Sequence, residues 1–152
     1  MLALVCVFAL TPAADPKPTP NPRQVAEGYV AAALAGQFDD AVKLAEEGKS
    51  PAKPESAKKL KELIAAKSLG LPTVLISDKH GYAMAVSDPI GLPEKAPAGA
   101  DRRCLIFTLK KTKDGKWVLK DIDLSTVDKA ETLVKELKTR DPDAKPIPAT
   151  KS

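Results

Sequence analysis

The sequence predicts an α+β domain in which N-terminal helices pack on a curved antiparallel sheet of about four strands, followed by a C-terminal helix. Apolar side chains recur at helical spacing over residues 22–67, alternate with polar ones over 73–124, and return to helical spacing over 127–140. Proline marks the limits of this domain, because eight of the 14 prolines in the 152-residue chain lie outside residues 23–140. The folded unit is therefore expected to span about 120 residues.

The N-terminal segment has the order of a secretory signal peptide. Residues 2–10 form an apolar run, and the small residues Ala13 and Ala14 follow it, although no Lys or Arg precedes the run. We therefore expect a signal peptide over residues 1–14 and a proline-rich spacer over 15–21. The protein is then exported, to a periplasmic or extracellular location.

The first helix is the best defined at its two ends. Asn21 and Gln24 have the spacing of a capping box, and Pro22 stands at the first helical position. Gly36 follows Ala35 and ends the helix.

Two further helices are predicted before the sheet. A second helix fits residues 38–47 and ends at Gly48, and a third fits residues 55–67 after the break at Pro51 and Pro54. The short link between the first and second helices makes them neighbours in space.

The strands follow as two hairpins. Residues 73–77 and 82–86 alternate around a tight turn, and residues 104–111 and 116–124 alternate around a turn containing Asp114 and Gly115. The Asp-Gly pair flanked by alternating apolar residues is a strong hairpin signal.

The last helix is predicted from a capping box that starts at Ser125, and it extends to Arg140. Pro142 ends it. The domain is then expected over residues 22–140, with a disordered tail over 141–152.

Two segments resemble the nuclear transport factor 2-like superfamily, which includes ketosteroid isomerases and polyketide cyclases. Residues 25–41 resemble its opening pair of helices, and residues 114–123 resemble its final hairpin strand. The likeness covers about residues 22–125. It implies a cone-shaped α+β fold with a pocket between the concave face of the sheet and the first helices. In the isomerases, a tyrosine and a protonated carboxylic acid stabilise an oxyanion while an aspartate takes the proton.

The predicted pocket residues are Tyr29, Trp117, Asp121 and Asp123, and the weak catalytic candidates among them are Tyr29 and the two aspartates. Simple alternation places Asp121 and Asp123 on the sheet face of Trp117 and Leu119. The other face then takes Val118, Ile122 and Leu124. In a concave apolar cavity the two carboxylates could act in acid–base chemistry, whereas the opposite register leaves both in solvent.

Composition excludes several other kinds of site. His80, Cys6 and Cys104 are too few for a closed zinc site, so we expect no metal and no cofactor. His80 is interpreted as an exposed turn residue and Cys104 as a small buried hydrophobe. The net charge is +4, but aromatic residues are only 4% and no nucleic-acid-binding motif occurs, which argues against a nucleic-acid partner. The sequence contains no run of 18 apolar residues, so we expect no membrane-spanning helix.

These observations favour an exported domain without catalytic activity, binding a small apolar ligand or a partner protein. One alternative is a cofactor-free enzyme of the isomerase, dehydratase or hydrolase kind that uses Tyr29 with Asp121 or Asp123. Another is a structural homodimer. The first two differ in geometry, because the enzyme needs Tyr29 and at least one aspartate in the same enclosed cavity.

Overall fold

Helices cover both faces of one antiparallel sheet in the parts of the chain that the computed structural model describes, residues 19–64, 68–90 and 103–149. The α-helices of these residues are α1 (Pro22–Ala35), α2 (Phe38–Val42), α3 (Pro54–Leu63) and α4 (Val127–Arg140). The strands are β1 (Thr73–Ser77), β2 (Tyr82–Val86), β3 (Arg103–Lys111), β4 (Trp117–Thr126) and β5 (Lys145–Pro146). The sheet order is β4-β3-β2-β1-β5, and the predicted α+β class is confirmed. The predicted signal peptide lies outside the described residues.

Helix α1 begins and ends where the sequence predicts. The Asn21 side chain accepts a hydrogen bond from the Gln24 N–H at 3.0 Å, and the Gln24 side chain accepts one from the Asn21 N–H at 2.9 Å. Gly36 closes the helix at φ 80°, a left-handed conformation that glycine adopts without strain.

Helix α2 ends at Val42, so the prediction of a helix to residue 47 is wrong. The helix ends early because the residues after it pair with β4, the edge strand of the sheet. The Leu119 N–H donates to the Leu44 carbonyl at 2.9 Å, and the Glu46 N–H donates to the Leu119 carbonyl at 2.7 Å. These residues leave the helix because their backbone groups pair with the sheet edge, which is thereby covered.

Two separate cores lie on the two faces of the sheet. The larger core is formed where α1, α2 and α3 pack on one face, which we call the packed face. It includes the buried residues Tyr29, Ala33, Leu60, Phe107, Leu109 and Leu119. The smaller core lies on the other face, the α4 face, and its buried residues are Met84, Cys104, Ile106 and Ala130.

A β-bulge interrupts the pairing of β3 with β4. Thr108 lies opposite Asp121, but its neighbour Leu109 lies opposite Leu119, so Lys120 has no partner residue on β3. One extra residue reverses the alternation of side chains between the two sides of a bulge.

This bulge overturns the predicted face of the two aspartates. Trp117 belongs to the packed core, and beyond the bulge Ile122 and Leu124 also point to the packed face, beside α3. Asp121 and Asp123 therefore lie on the α4 face, opposite to Trp117. Strict alternation fails here because it contains no signal for an inserted residue.

The predicted disorder of residues 141–152 is wrong for residues 141–149. Strand β5 pairs with β1, and this adds a fifth strand to the predicted four. The guanidinium of Arg23, itself only 2% exposed, donates to the Ile147 carbonyl at 2.8 Å and to the Leu71 carbonyl at 2.7 Å. These contacts fix the tail against α1.

Helix α4 begins one residue later than the predicted capping box. Thr126 is the N-cap and accepts a hydrogen bond from the Lys129 N–H at 3.4 Å. Ser125 remains in β4, opposite Cys104, where strand pairing prevails over helix capping. In the described ranges, no helix has the length and apolar character needed to cross a bilayer.

Candidate functional site

The space between the sheet and the first helices, where the resemblance implies a pocket, is filled around Tyr29. This side chain is fully buried, and its hydroxyl donates a hydrogen bond to the Pro51 carbonyl at 3.0 Å. Burial raises the pKa of Tyr29 to about 12, so the phenol is neutral at physiological pH. Tyr29 therefore joins α1 to the turn at residues 50–52 as a structural side chain.

The other predicted site residues do not meet Tyr29 in a cavity. Trp117 packs in the larger core, and the Lys111 ammonium lies 5.8 Å from the centroid of its ring, in cation–π geometry. Asp121 and Asp123 are exposed on the α4 face. The sheet separates both carboxylates from Tyr29, so the geometric condition for the isomerase-like pairing is not met.

A small cavity remains at the margin of the packed face. It encloses about 210 Å³ between α3 and the strands β3 and β4. Leu60, Leu63 and Ile122 line it, together with Leu124, which is 38% exposed. It is smaller than the usual volume of a ligand site, about 300–1,000 Å³.

A larger cleft opens on the α4 face. It has a volume of about 720 Å³ and lies between α4 and the strands of the sheet. Its apolar part consists of Met84 and Ile106 from the sheet and Leu133 and Leu137 from α4. Its polar lining consists of Ser77, His80, Tyr82, Thr108, Asp123, Glu136, Arg140 and Asp141. We call this space the α4 cleft.

The α4 cleft exists because α4 contacts the sheet through a small residue. Ala130 is the buried residue of α4, whereas Leu133, Val134 and Leu137 are only half-buried. A single helix seated on an alanine cannot fill the whole face of the sheet, so apolar side chains are left beside open space.

One end of the α4 cleft is held by a hydrogen-bonded carboxylate. The Ser77 hydroxyl donates to the Asp141 carboxylate, and the Asp143 N–H donates to it at 3.1 Å. The Ser77 hydrogen bond is the main cause that lowers the pKa of Asp141, with help from the Asp143 N–H and the nearby His80 and Lys79. Asp141 is therefore ionised at neutral pH and ties the end of α4 to β1.

A second groove lies on the other side of α4, with a volume of about 420 Å³. Cys104 contributes to its lining, and Lys135 and Lys138 stand at its rim. Burial raises the pKa of the Cys104 thiol, which agrees with its interpretation as a small buried hydrophobe and disfavours the thiolate.

Sequence reasoning found one residue of the α4 cleft, Asp123, and missed the rest. The apolar stripe of α4, with Leu133 and Leu137, was visible as a helical pattern, and Met84 lay on a predicted strand. What the pattern did not show was that these segments face each other across an unfilled gap.

Within the described residues, no group of three or more His, Cys, Asp or Glu side chains is arranged to hold a metal ion. Comparison with family models and with curated proteins gives no match to this chain. The functional argument therefore depends on the geometry and charge of the α4 cleft.

Proposed function

We propose that this protein binds a small molecule with an apolar body in the α4 cleft, without catalysing a reaction. The observation that carries the proposal is the 720 Å³ volume of the cleft, lined by both apolar and polar side chains. Ligand sites usually have this character, with hydrophobic walls for affinity and a few polar groups for orientation.

The enzyme alternative has less support. It needs Tyr29 and an aspartate in one cavity, and the sheet lies between them. Ser77, His80 and Asp141 do occur together in the α4 cleft, but the Ser77 hydroxyl donates to Asp141, whose lowered pKa makes the carboxylate a weak base, and not to His80. The arrangement stabilises the end of α4 and supplies no nucleophile.

Binding is tested with the neutral fluorescent probe N-phenyl-1-naphthylamine. Its emission should rise to saturation with the wild-type protein. The variant Leu137→Lys places a charged chain at the cleft and should weaken binding by about tenfold. The matched control is Leu124→Lys, at an exposed leucine on the packed face, which should leave the dissociation constant within about twofold.

Circular dichroism checks that both variants fold. Chemical-shift mapping on the wild-type protein gives a result that does not depend on any variant: the probe should perturb amides around Met84, Ile106 and Leu133. Equal weakening by the two lysine variants, or perturbations confined to the packed face, would overturn the proposal.

Export and family membership are parts of the same proposal that need their own tests. We propose that the signal peptide within residues 1–14 is removed on secretion by cleavage after Ala13 or Ala14, so N-terminal sequencing of the exported protein should begin at Ala14 or Asp15. A cell-associated protein that retains Met1 would contradict this. The likeness to the nuclear transport factor 2-like superfamily is proposed at the level of the fold alone, from the opening helices and the last hairpin.

A further inference from the structure

We infer that the α4 cleft selects organic cations, namely amines that carry an apolar chain or ring system. This inference rests on the proposed function and adds the charge of the ligand. It combines the apolar lining of the cleft with the sign of the charges around that lining.

The charges lining the α4 cleft are opposite in sign to the net charge of the chain. Asp123, Glu136 and Asp141 contribute three carboxylates, and Arg140 contributes the single guanidinium. His80 adds an imidazole to the lining. A chain with a net charge of +4 therefore has a cleft with a local excess of negative charge.

Asp123 is the carboxylate best placed to meet a bound ammonium group. Asp141 is already engaged by Ser77, and Glu136 lies 3.9 Å from the guanidinium of Arg140. In the described part of the chain, no Lys or Arg nitrogen lies within 4.0 Å of the Asp123 carboxylate.

Asp123 lies on the sheet next to the apolar lining of the α4 cleft. Asp123 lies directly opposite Ile106, whose side chain is part of that lining. The bulge at Lys120 is what turns Asp123 toward the α4 face. An ammonium group beside Asp123 would thus leave its chain in contact with Ile106 and the leucines of α4.

The second groove provides an internal comparison. It is also partly apolar, but its charged residues are Lys135 and Lys138 with the single acid Glu131. The two sides of α4 therefore present opposite charge. A cationic amphiphile should prefer the α4 cleft, and an anionic one of the same size should prefer the second groove.

The test uses three probes of equal chain length that differ in the head group: n-octylammonium, n-octanol and octanoate. Dissociation constants are measured at pH 7 by chemical-shift titration of the folded protein. We expect octylammonium to bind the α4 cleft about fivefold more tightly than octanol, because a nearby opposite charge adds attraction at a partly solvated site. Octanoate should bind this cleft more weakly than octanol.

The decisive variant is Asp123→Asn, which keeps the size of the side chain and removes its charge. It should abolish most of the preference for octylammonium and change octanol binding less than about twofold. Asp121→Asn is the matched control, because Asp121 is also exposed on the α4 face of β4 but does not line the cleft. It should retain the preference.

The outcomes separate this inference from the proposed function. Equal binding of octanol and octylammonium, or equal effects of the two asparagine variants, would overturn the inference and leave ligand binding in place. Failure of all three probes to bind, together with failure of N-phenyl-1-naphthylamine, would overturn the proposed function as well.

Discussion

The two faces of the sheet carry the same kind of apolar strand residue but are covered to different degrees. On the packed face, three helices bury Phe107, Leu109 and Leu119 completely. On the α4 face, one helix covers Met84 and Ile106 and leaves a 720 Å³ cleft beside them. The closed core therefore lies on one face of the sheet, and the larger open cleft lies on the other.

The difference arises from the number and the fit of the covering helices. Helix α1 contributes Ala26 and Ala33, both fully buried, and Gly28 lies so close to Leu44 that an added Cβ would stand 3.2 Å from its side chain. Such small residues let α1 approach its neighbours closely. Among the described elements, helix α4 has no second helix beside it, and the α4 cleft and the second groove lie on its two sides.

The largest expected effect comes from removing a leucine on the packed face. Leu109→Ala should lower the free energy of unfolding by about 3 kcal/mol, because it leaves a cavity in a closed core. Leu133→Ala, at the half-buried leucine lining the α4 cleft, should cost only about 1 kcal/mol. Urea unfolding followed by circular dichroism measures both. Equal costs would show that the two faces are packed alike.

Substitution of Arg23 tests how residues 141–149 are held against α1. Arg23→Lys should lower the free energy of unfolding by about 2 kcal/mol, since lysine cannot reach the Leu71 and Ile147 carbonyls with the same planar group. Arg140→Lys is the matched control at a side chain that is 81% exposed, and its effect should stay below about 0.5 kcal/mol. A tail as resistant to proteolysis in Arg23→Lys as in the wild type would contradict the assigned role.

Substitution of Tyr29 tests whether this predicted site residue has a structural role. Tyr29→Phe should cost about 1 kcal/mol, because it leaves the Pro51 carbonyl without its buried donor. Tyr82→Phe, at the half-buried tyrosine of the α4 cleft, should cost less. A change in ligand affinity with Tyr29→Phe and none with Tyr82→Phe would reverse the assignment of the two faces.

The raised pKa of Tyr29 leads us to expect a loss of stability at alkaline pH. Its folded pKa of about 12 lies above the ordinary value of 10.0. The stabilisation from keeping the phenol protonated is therefore fully present below pH 10 and is lost as the pH rises toward 12. Unfolding curves at pH 9 and 11 should show a steeper loss for the wild type than for Tyr29→Phe.

The smallest expected effect concerns the carboxylate at the end of the α4 cleft. The pKa of Asp141 is lowered in the folded protein, so its contribution is present above the ordinary pKa of 3.8 and is lost as the pH falls through the folded value. Ser77→Ala should therefore be less stable than the wild type at pH 7, and the gap should narrow below about pH 4. In an Asp141→Asn background the Ser77→Ala effect should lose this pH dependence, and its persistence there would contradict the assignment.

Local signals in the sequence were sufficient for most of the helices and strands. The capping box joins Asn21 and Gln24, which are three positions apart, and the turn at Asp114 and Gly115 is closed by a hydrogen bond from the Thr112 N–H to the Lys116 carbonyl, four positions away. Hydrogen bonds between close neighbours in the chain determine such features, so their residue pattern can be recognised without knowing the rest of the fold. The shortened α2 could not be recognised in this way, because its end depends on pairing with Leu119 on a distant strand.

The α+β class and the order of helices and hairpins follow from local patterns in the sequence. Other features depend on contacts between distant segments. Residues 141–149 are placed by the pairing of β5 with β1 and by contacts such as the hydrogen bond from Arg23 to Ile147, which lies 124 positions away in the chain. The tertiary structure also inserted Lys120 as a bulge and so moved Asp123 from the packed face into the α4 cleft. Both depend on contacts between distant segments, and a one-residue shift in strand pairing reverses which face every later side chain occupies.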